Sequence, residues 1–185
     1  MIICVCGKSG SGKSTFAKLI QEEKPNSIHV DIDKIGHQSH NDETVKQELI
    51  TTFGEVILTN NNIDRKKLGK IVFSDKLEMK KLEYITWNYM EQEIDKIIDN
   101  NRDKTIILDW LLLPNTKYFD ISDLRILVNT PYSVRKERVL KRDNITEEQF
   151  ELREKNTIEY NKNKFEYVFE NNDIKDIKKK VLKYE

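Results

Sequence analysis

Eight residues near the start of the chain, Gly7-Lys8-Ser9-Gly10-Ser11-Gly12-Lys13-Ser14, fit the pattern G-x4-G-K-[ST]. Each constrained type has a chemical reason to be there. Glycines let backbone N–H groups turn inward and reach phosphate oxygens. Lys13 brings a positive charge to the β- and γ-phosphates of a nucleotide, and the Ser14 hydroxyl can ligate Mg²⁺. A helix starting near Lys13 would add the positive end of its dipole. Gly7, Gly10, Ser11, Gly12, Lys13, Ser14 and Thr15 are therefore the candidate nucleotide-binding residues, with Ser14 the candidate metal ligand. At ordinary residue frequencies the pattern arises by chance at roughly 10⁻⁴ to 10⁻⁵ per position, which disfavours a mere Gly/Ser-rich turn. Lys8 and Ser9 occupy variable positions and are assigned no chemistry.

Other charged residues fall where such a loop needs them. Asp31 and Asp33 stand at i and i+2 after an apolar run. A carboxylate there can take a proton from an attacking hydroxyl or hold Mg²⁺ through water, although Asp also caps helices. Arg138 and Arg142 are four residues apart, so on a helix they share a face with room to clamp phosphates. The same segment, with Arg135 and Glu137, also fits a solvated basic helix. Asp109 ends an apolar run and reads either as an acid near the metal or as a turn residue. His29, His37 and His40 form no triad, and His29 reads as a packed strand residue. Trp87 and Trp110 read as core or pocket walls.

The elements around these residues alternate. Residues 1–6, Ser27–Asp31, Thr105–Asp109, Leu124–Asn129 and 165–169 read as strands. Lys13–Glu23, 42–53, 64–73, Lys76–Asn100, 132–142 and 173–184 read as helices, with Pro131 opening one in its first turn. Thr146 and Gln149 make a capping-box signature for a further helix. The alternation predicts an α/β fold, a parallel five-stranded sheet flanked by helices. The stretch between the second and third strands reads as an all-helical insertion, a natural acceptor-binding region.

Composition narrows the classes. The chain has 185 residues, suited to one domain, and Lys+Arg equals Asp+Glu at 32 each. Zero net charge gives no electrostatic case for nucleic acid or a membrane surface. No apolar run nears the roughly 18–20 residues of a membrane span. The N-terminus lacks signal-peptide features. Cys4 and Cys6 alternate on one strand and read as buried thiols in a reducing compartment, so the expected location is cytoplasmic. A phosphate loop serves kinases, GTPases, motor ATPases and transporters alike. The lack of an N-K-x-D guanine-reading motif and the short chain favour a small ATP-dependent kinase acting on a small molecule.

Beyond the loop, the chain resembles the dephospho-CoA kinase family over almost its whole length. Asp31-Ile32-Asp33 is similar to the family's Asp-Ala-Asp, and Phe53-Gly54, Ile63-Asp64-Arg65 and Leu68 to Phe73 to its F-G…I-D-R…L…V-F block. Leu111-Leu112-Leu113 resembles its P-L-L segment. Arg138…Arg142-Asp143, Ile145 to Gln149 and Arg153 resemble its lid. The resemblance implies a single P-loop NTPase domain of nucleotide-kinase type over 1–185. Its core would be 1–33, 103–130 and 162–185, with a helical acceptor-binding insertion over 34–102 and a helical lid over 131–161. It implies ATP and Mg²⁺, and γ-phosphate transfer to the ribose 3′-hydroxyl of dephospho-CoA, the last step of coenzyme A synthesis. Asp33 would be the general base and Asp31 its neighbour and reserve. Lys13, Arg138 and Arg142 would serve the transferring phosphate, and Arg65, His37 and Asp31 the acceptor. The pattern differs at His37 (Arg in the family), Trp87-Asn88 (His-Pro), Leu111 (Pro), Asn115 (Glu) and Thr157 (Gln), and at Phe165-Glu166 (Ala-Asp), mainly on the acceptor side. A kinase for (deoxy)nucleoside monophosphates, or a non-catalytic nucleotide-binding protein, remains an alternative.

Overall fold

Ile2–Cys6 forms the first strand, β1, and four of its five residues are buried. Burial on both faces marks an interior strand of a parallel sheet, where a continuous apolar run is required rather than an alternating one. The computed structural model describes residues 1–155 and 157–171, so the helix expected over 173–184 lies outside the described residues. The chain divides into two compact units, Met1–Asp31 with Asn100 onward, and Ile32–Asp99.

In the first unit α1 (Lys13–Glu23) follows β1, and β2 (Ser27–Asp31) follows α1. The second unit holds α2 (Ile32–Ser39), α3 (Glu43–Phe53), the short strands β3 (Leu58–Thr59) and β4 (Asn62–Ile63), α4 (Arg65–Val72) and α5 (Lys76–Asn100). The chain returns to the first unit with β5 (Thr105–Asp109), α6 (Lys117–Asp120), β6 (Leu124–Asn129), α7 (Tyr132–Asp143), α8 (Glu147–Lys155) and β7 (Tyr167–Glu170). The sheet has five strands in the order β2-β5-β1-β6-β7, and every pairing is parallel. The fold is thus the parallel α/β sheet expected from the alternation.

Phe16, Ala17, Leu19 and Ile20 of α1 pack on Ile3, Val5, Ile107, Ile126, Val128 and Phe169 of the sheet. Phe16 and Phe169 lie with ring centroids 4.8 Å apart. Burial of one such side chain contributes about 1.5–3 kcal/mol. This packing fixes the start of α1 against the end of β1, which is where the glycine-rich loop sits. The second unit has its own core of Val45, Leu49, Phe53, Ile57, Leu68, Val72 and Ile85.

The structure differs from the expectations at several edges. The insertion is not all helical: β3 and β4 form an antiparallel hairpin. Its turn residues Asn60 and Asn61 both have positive φ, 49° and 61°, the combination a tight two-residue hairpin turn needs. The eight-residue helix α2 had no counterpart in the expected elements. It starts at the residue after β2, with no intervening loop to announce it. Asp42 and Asp64 cap α3 and α4 rather than opening them, accepting from Val45 N and from Lys66 N and Lys67 N. Pro131 likewise precedes α7 as its cap. The last described strand is Tyr167–Glu170, later than expected, because Lys162–Lys164 forms a 3₁₀ turn. Thr146 and Gln149 exchange the reciprocal capping-box bonds, at 3.0 and 3.2 Å. Among the described residues no helix is long and apolar enough to cross a membrane.

Candidate active site

The loop between β1 and α1 is held from several sides. Ser11 N donates to Lys8 O at 3.0 Å, and Phe16 N donates to Gly12 O at 2.9 Å. Thr130 Oγ1 and Asn171 Nδ2 both donate to Ser11 O, at 2.9 and 2.7 Å. Two glycines are required by space. A Cβ at Gly10 (φ 78°) would lie 2.7 Å from the Arg135 carbonyl oxygen, and one at Gly7 would lie 2.4 Å from Ser11 Oγ. Lys13 and Ser14 open α1, so the first N–H groups of that helix face the loop's concavity. Thr15, the next residue, is exposed.

Buried polar atoms without a hydrogen-bond partner cluster here. Among the described residues they include Ser11 Oγ, Asp109 Oδ1 and Asn171 Oδ1. An unpaired buried polar atom costs about 1–3 kcal/mol, so three beside one loop mark a place built for a polar ligand. Asp109 ends β5 and stands opposite Asp31 at the end of β2 in the parallel register. Ligands of open parallel sheets bind beyond these carboxyl ends. Lys13 Nζ lies 4.0 Å from Asp109 Oδ1, and His29 Nε2 lies 3.1 Å from Asp109 Oδ2. Asp109 therefore faces the loop lysine instead of closing a surface turn. His29 is packed, as expected of a strand residue, and is also bonded to that acid.

The arginine helix folds onto the loop. Arg138 Nη1 donates to Gly10 O at 3.3 Å, and Arg142 Nη2 to Ser9 Oγ at 3.3 Å. Arg142 is exposed and pairs with Asp143 at 2.7 Å. That pairing, together with Arg153, holds the Asp143 carboxyl below its ordinary value of 3.8. The residue that sequence reasoning missed is Arg135, which is buried. It makes a two-pronged contact with Glu154 of α8 at 2.8 and 2.7 Å, and it also donates to Thr130 O and Ser9 O. Lys8, given no chemistry beforehand, pairs with Glu154 at 3.3 Å and Glu159 at 2.6 Å. Arg135, Arg138 and Arg142 stand at i, i+3 and i+7 of one helix, which was the available sign that Arg135 shares their face.

The candidate base Asp33 and the acceptor-side candidates His37 and Arg65 belong to the second unit, whereas the acceptor-side candidate Asp31 ends β2 in the first. Asp33 and His37 lie one turn apart on α2, and both are exposed, as is Arg65 at the start of α4. Burial, and secondarily the charges of His37 and Arg65, push the His40 imidazole down to about 4. The two cysteines are free and buried. Burial pushes the Cys4 thiol up to about 12 and Cys6 well above its ordinary value.

A sheet of this order, with a glycine-rich phosphate loop leaving its central strand, is the architecture of the P-loop kinases. A crystal structure of a Thermus thermophilus protein superposes with a TM-score of 0.82 at 24% identity, covering 99% of this chain and 94% of that one. Dephospho-CoA kinase from Campylobacter jejuni does so with a TM-score of 0.59 at 24% identity, covering 98% and 94%. At those identities the likeness speaks for the fold. The family comes from sequence: the dephospho-CoA kinase model matches residues 1–176. Dephospho-CoA kinase of Aquifex aeolicus (strain VF5) is 38% identical over 187 residues, 98% of this chain and 94% of the relative. The chain belongs to the dephospho-CoA kinase family and is an ATP-dependent kinase.

Proposed function

We propose that this chain transfers the γ-phosphoryl group of ATP to the ribose 3′-hydroxyl of dephospho-CoA, giving coenzyme A and ADP. The observation that carries the reading is a phosphate loop with unpaired buried polar atoms beside it, in a chain matched to that family over residues 1–176. Lys13 and the loop N–H groups bind the β- and γ-phosphates of ATP and hold the reacting phosphorus in line. Arg138 and Arg142 close over the same phosphates and stabilise charge on the transferring oxygens. Asp33 accepts the proton of the attacking hydroxyl, with Asp31 the reserve base. Arg65 and His37 contact the acceptor, so that 34–102 serves as the acceptor region and 131–161 as the lid. Both free, buried cysteines suit the cytoplasm.

Mg²⁺ fits the residues present. Asp109 Oδ1 is buried, faces Lys13 and has no hydrogen-bond partner, and Ser14 lies in the first turn of α1. Ser14 directly, and Asp109 through water, would hold the ion. When bound, Mg²⁺ supplies positive charge to the phosphate oxygens. A nucleoside monophosphate as acceptor is the second reading, favoured by His37 in place of the family's arginine.

Lys13→Ala removes most turnover, since Lys13 brings the loop's own positive charge to the β- and γ-phosphates. Asp33→Asn keeps the shape and removes the base, so kcat falls by about 10²-fold or more while ATP affinity holds. Steady-state kinetics of the two variants test the roles. Near-wild-type turnover of Lys13→Ala contradicts the site, and greater damage from Asp31→Asn moves the base to Asp31.

A further inference from the structure

The buried carboxylate of Asp109 has two oxygens with unequal fates. Oδ1 lacks a hydrogen-bond partner and faces Lys13 Nζ across 4.0 Å, too long for a hydrogen bond. Oδ2 is held by His29 Nε2 at 3.1 Å. The carboxylate side chain is 1% exposed and that of the imidazole 7%, so bulk water has little part in the contact. A carboxylate oxygen accepts, so in this pair the ring Nε2–H of His29 donates to Oδ2. The contact joins β2 to β5 across 80 residues of sequence, and the two strands are neighbours in the sheet. A carboxylate bonded at one oxygen cannot swing freely about its terminal torsion, which leaves the other oxygen aimed at the loop lysine.

We propose that His29 is a positioning residue for phosphoryl transfer: by holding Oδ2 of Asp109 it keeps Oδ1 turned toward Lys13 and the cation side of the phosphate loop. The inference rests on the kinase reading and adds to it a residue outside the loop and lid. His29 touches neither nucleotide nor acceptor; it acts through Asp109. Oδ1 lies close to the lysine charge. Once the phosphates claim Lys13, the bond from His29 is what keeps Asp109 in place. Partners that orient a carboxylate near a metal commonly change metal affinity or activity about 10–100-fold when removed.

The test uses the full chain and four variants: His29→Phe, His29→Gln, Asp109→Asn, and His29→Phe combined with Asp109→Asn. Two quantities are read: kcat and KM with ATP and dephospho-CoA, and the calorimetric Kd of ATP with Mg²⁺ and with chelator. His29→Phe keeps the bulk and loses the donor. It lowers kcat about tenfold or more and weakens ATP binding in Mg²⁺ by a similar factor, while the Kd measured in chelator holds within about twofold. His29→Gln, whose amide N–H can replace the imidazole donor, recovers most of both losses. In the Asp109→Asn background His29→Phe adds less than about twofold, as expected of residues acting as one unit. The proposal is overturned by a His29→Phe enzyme within twofold of wild type. It is equally overturned by losses that persist in full without the Asp109 carboxylate, or by an equal loss of ATP affinity with and without Mg²⁺, the mark of a packing role. Wild-type protein with no turnover of dephospho-CoA rejects the substrate reading instead, and the two ATP affinities then judge His29 alone.

Discussion

Replacing Glu154 by Gln separates the interaction that organises the phosphate loop from those that decorate its rim. Glu154 receives two short bonds from Arg135, at 2.8 and 2.7 Å, and Arg135 is only 5% exposed. Removing one partner of a buried pair costs about 3–5 kcal/mol, because the remaining charge stays desolvated. The Gln carbonyl can still accept one of the two bonds, which places the expected loss nearer 2–3 kcal/mol, or roughly 4–12 °C in Tm for a chain of this size. Glu159 gives the contrast. It also pairs with Lys8, at 2.6 Å, but its side chain is 85% exposed, so Glu159→Gln costs about 0.5 kcal/mol or less. The sign with pH follows from the folded carboxyl. Burial pushes Glu154 up, but the bonds and charges of Arg135 and Lys8 outweigh it and hold the group below its ordinary value of 4.5. Its contribution is therefore complete above about 4.5 and is lost as pH falls through the lower folded value. Urea unfolding of wild type, Glu154→Gln and Glu159→Gln at pH 7 and at pH 3–4 reads all of this. A Glu154→Gln penalty no larger than that of Glu159→Gln, or a penalty that grows on acidification, refutes the reasoning.

Three further outcomes are expected. Gly10→Ala forces a Cβ to within 2.7 Å of the Arg135 carbonyl oxygen at a positive φ; it costs about 1–3 kcal/mol in denaturant unfolding and also weakens ATP binding in calorimetry. Arg142→Lys cannot make the planar two-pronged contact, so kcat drops while the melting temperature barely moves, because Arg142 is exposed. Leu49→Ala, in the core of the second unit, costs about 2–5 kcal/mol in unfolding, and a smaller loss would mean that its site collapses readily.

The sheet was legible because its strands are short apolar runs separated by loop and helix signals, and because Gly7 to Ser14 fix where β1 must end and α1 begin. The hairpin was not, since Asn60 and Asn61 sit in an asparagine-rich stretch whose turn chemistry looked like composition. Helix α2 escaped because β2 passes into it without a break: Asp31 ends the strand and Ile32 begins the helix. At the site, the loop residues declare themselves by spacing alone. Arg135 was named without a role, since its partner Glu154 lies 19 residues away on another helix. The pair of His29 and Asp109 was illegible for the same reason: local pattern places each on its strand, and only the sheet order β2-β5-β1 brings them together.

The most direct measurement is ADP release from Mg-ATP by the purified chain, offered dephospho-CoA, the common nucleoside and deoxynucleoside monophosphates, or no acceptor, with the product's phosphate position read by ³¹P NMR. Strong stimulation by dephospho-CoA alone, with a new 3′-phosphomonoester on the ribose, is the expected result. Stimulation only by a nucleoside monophosphate, or no stimulation by any acceptor while ATP binds, contradicts it.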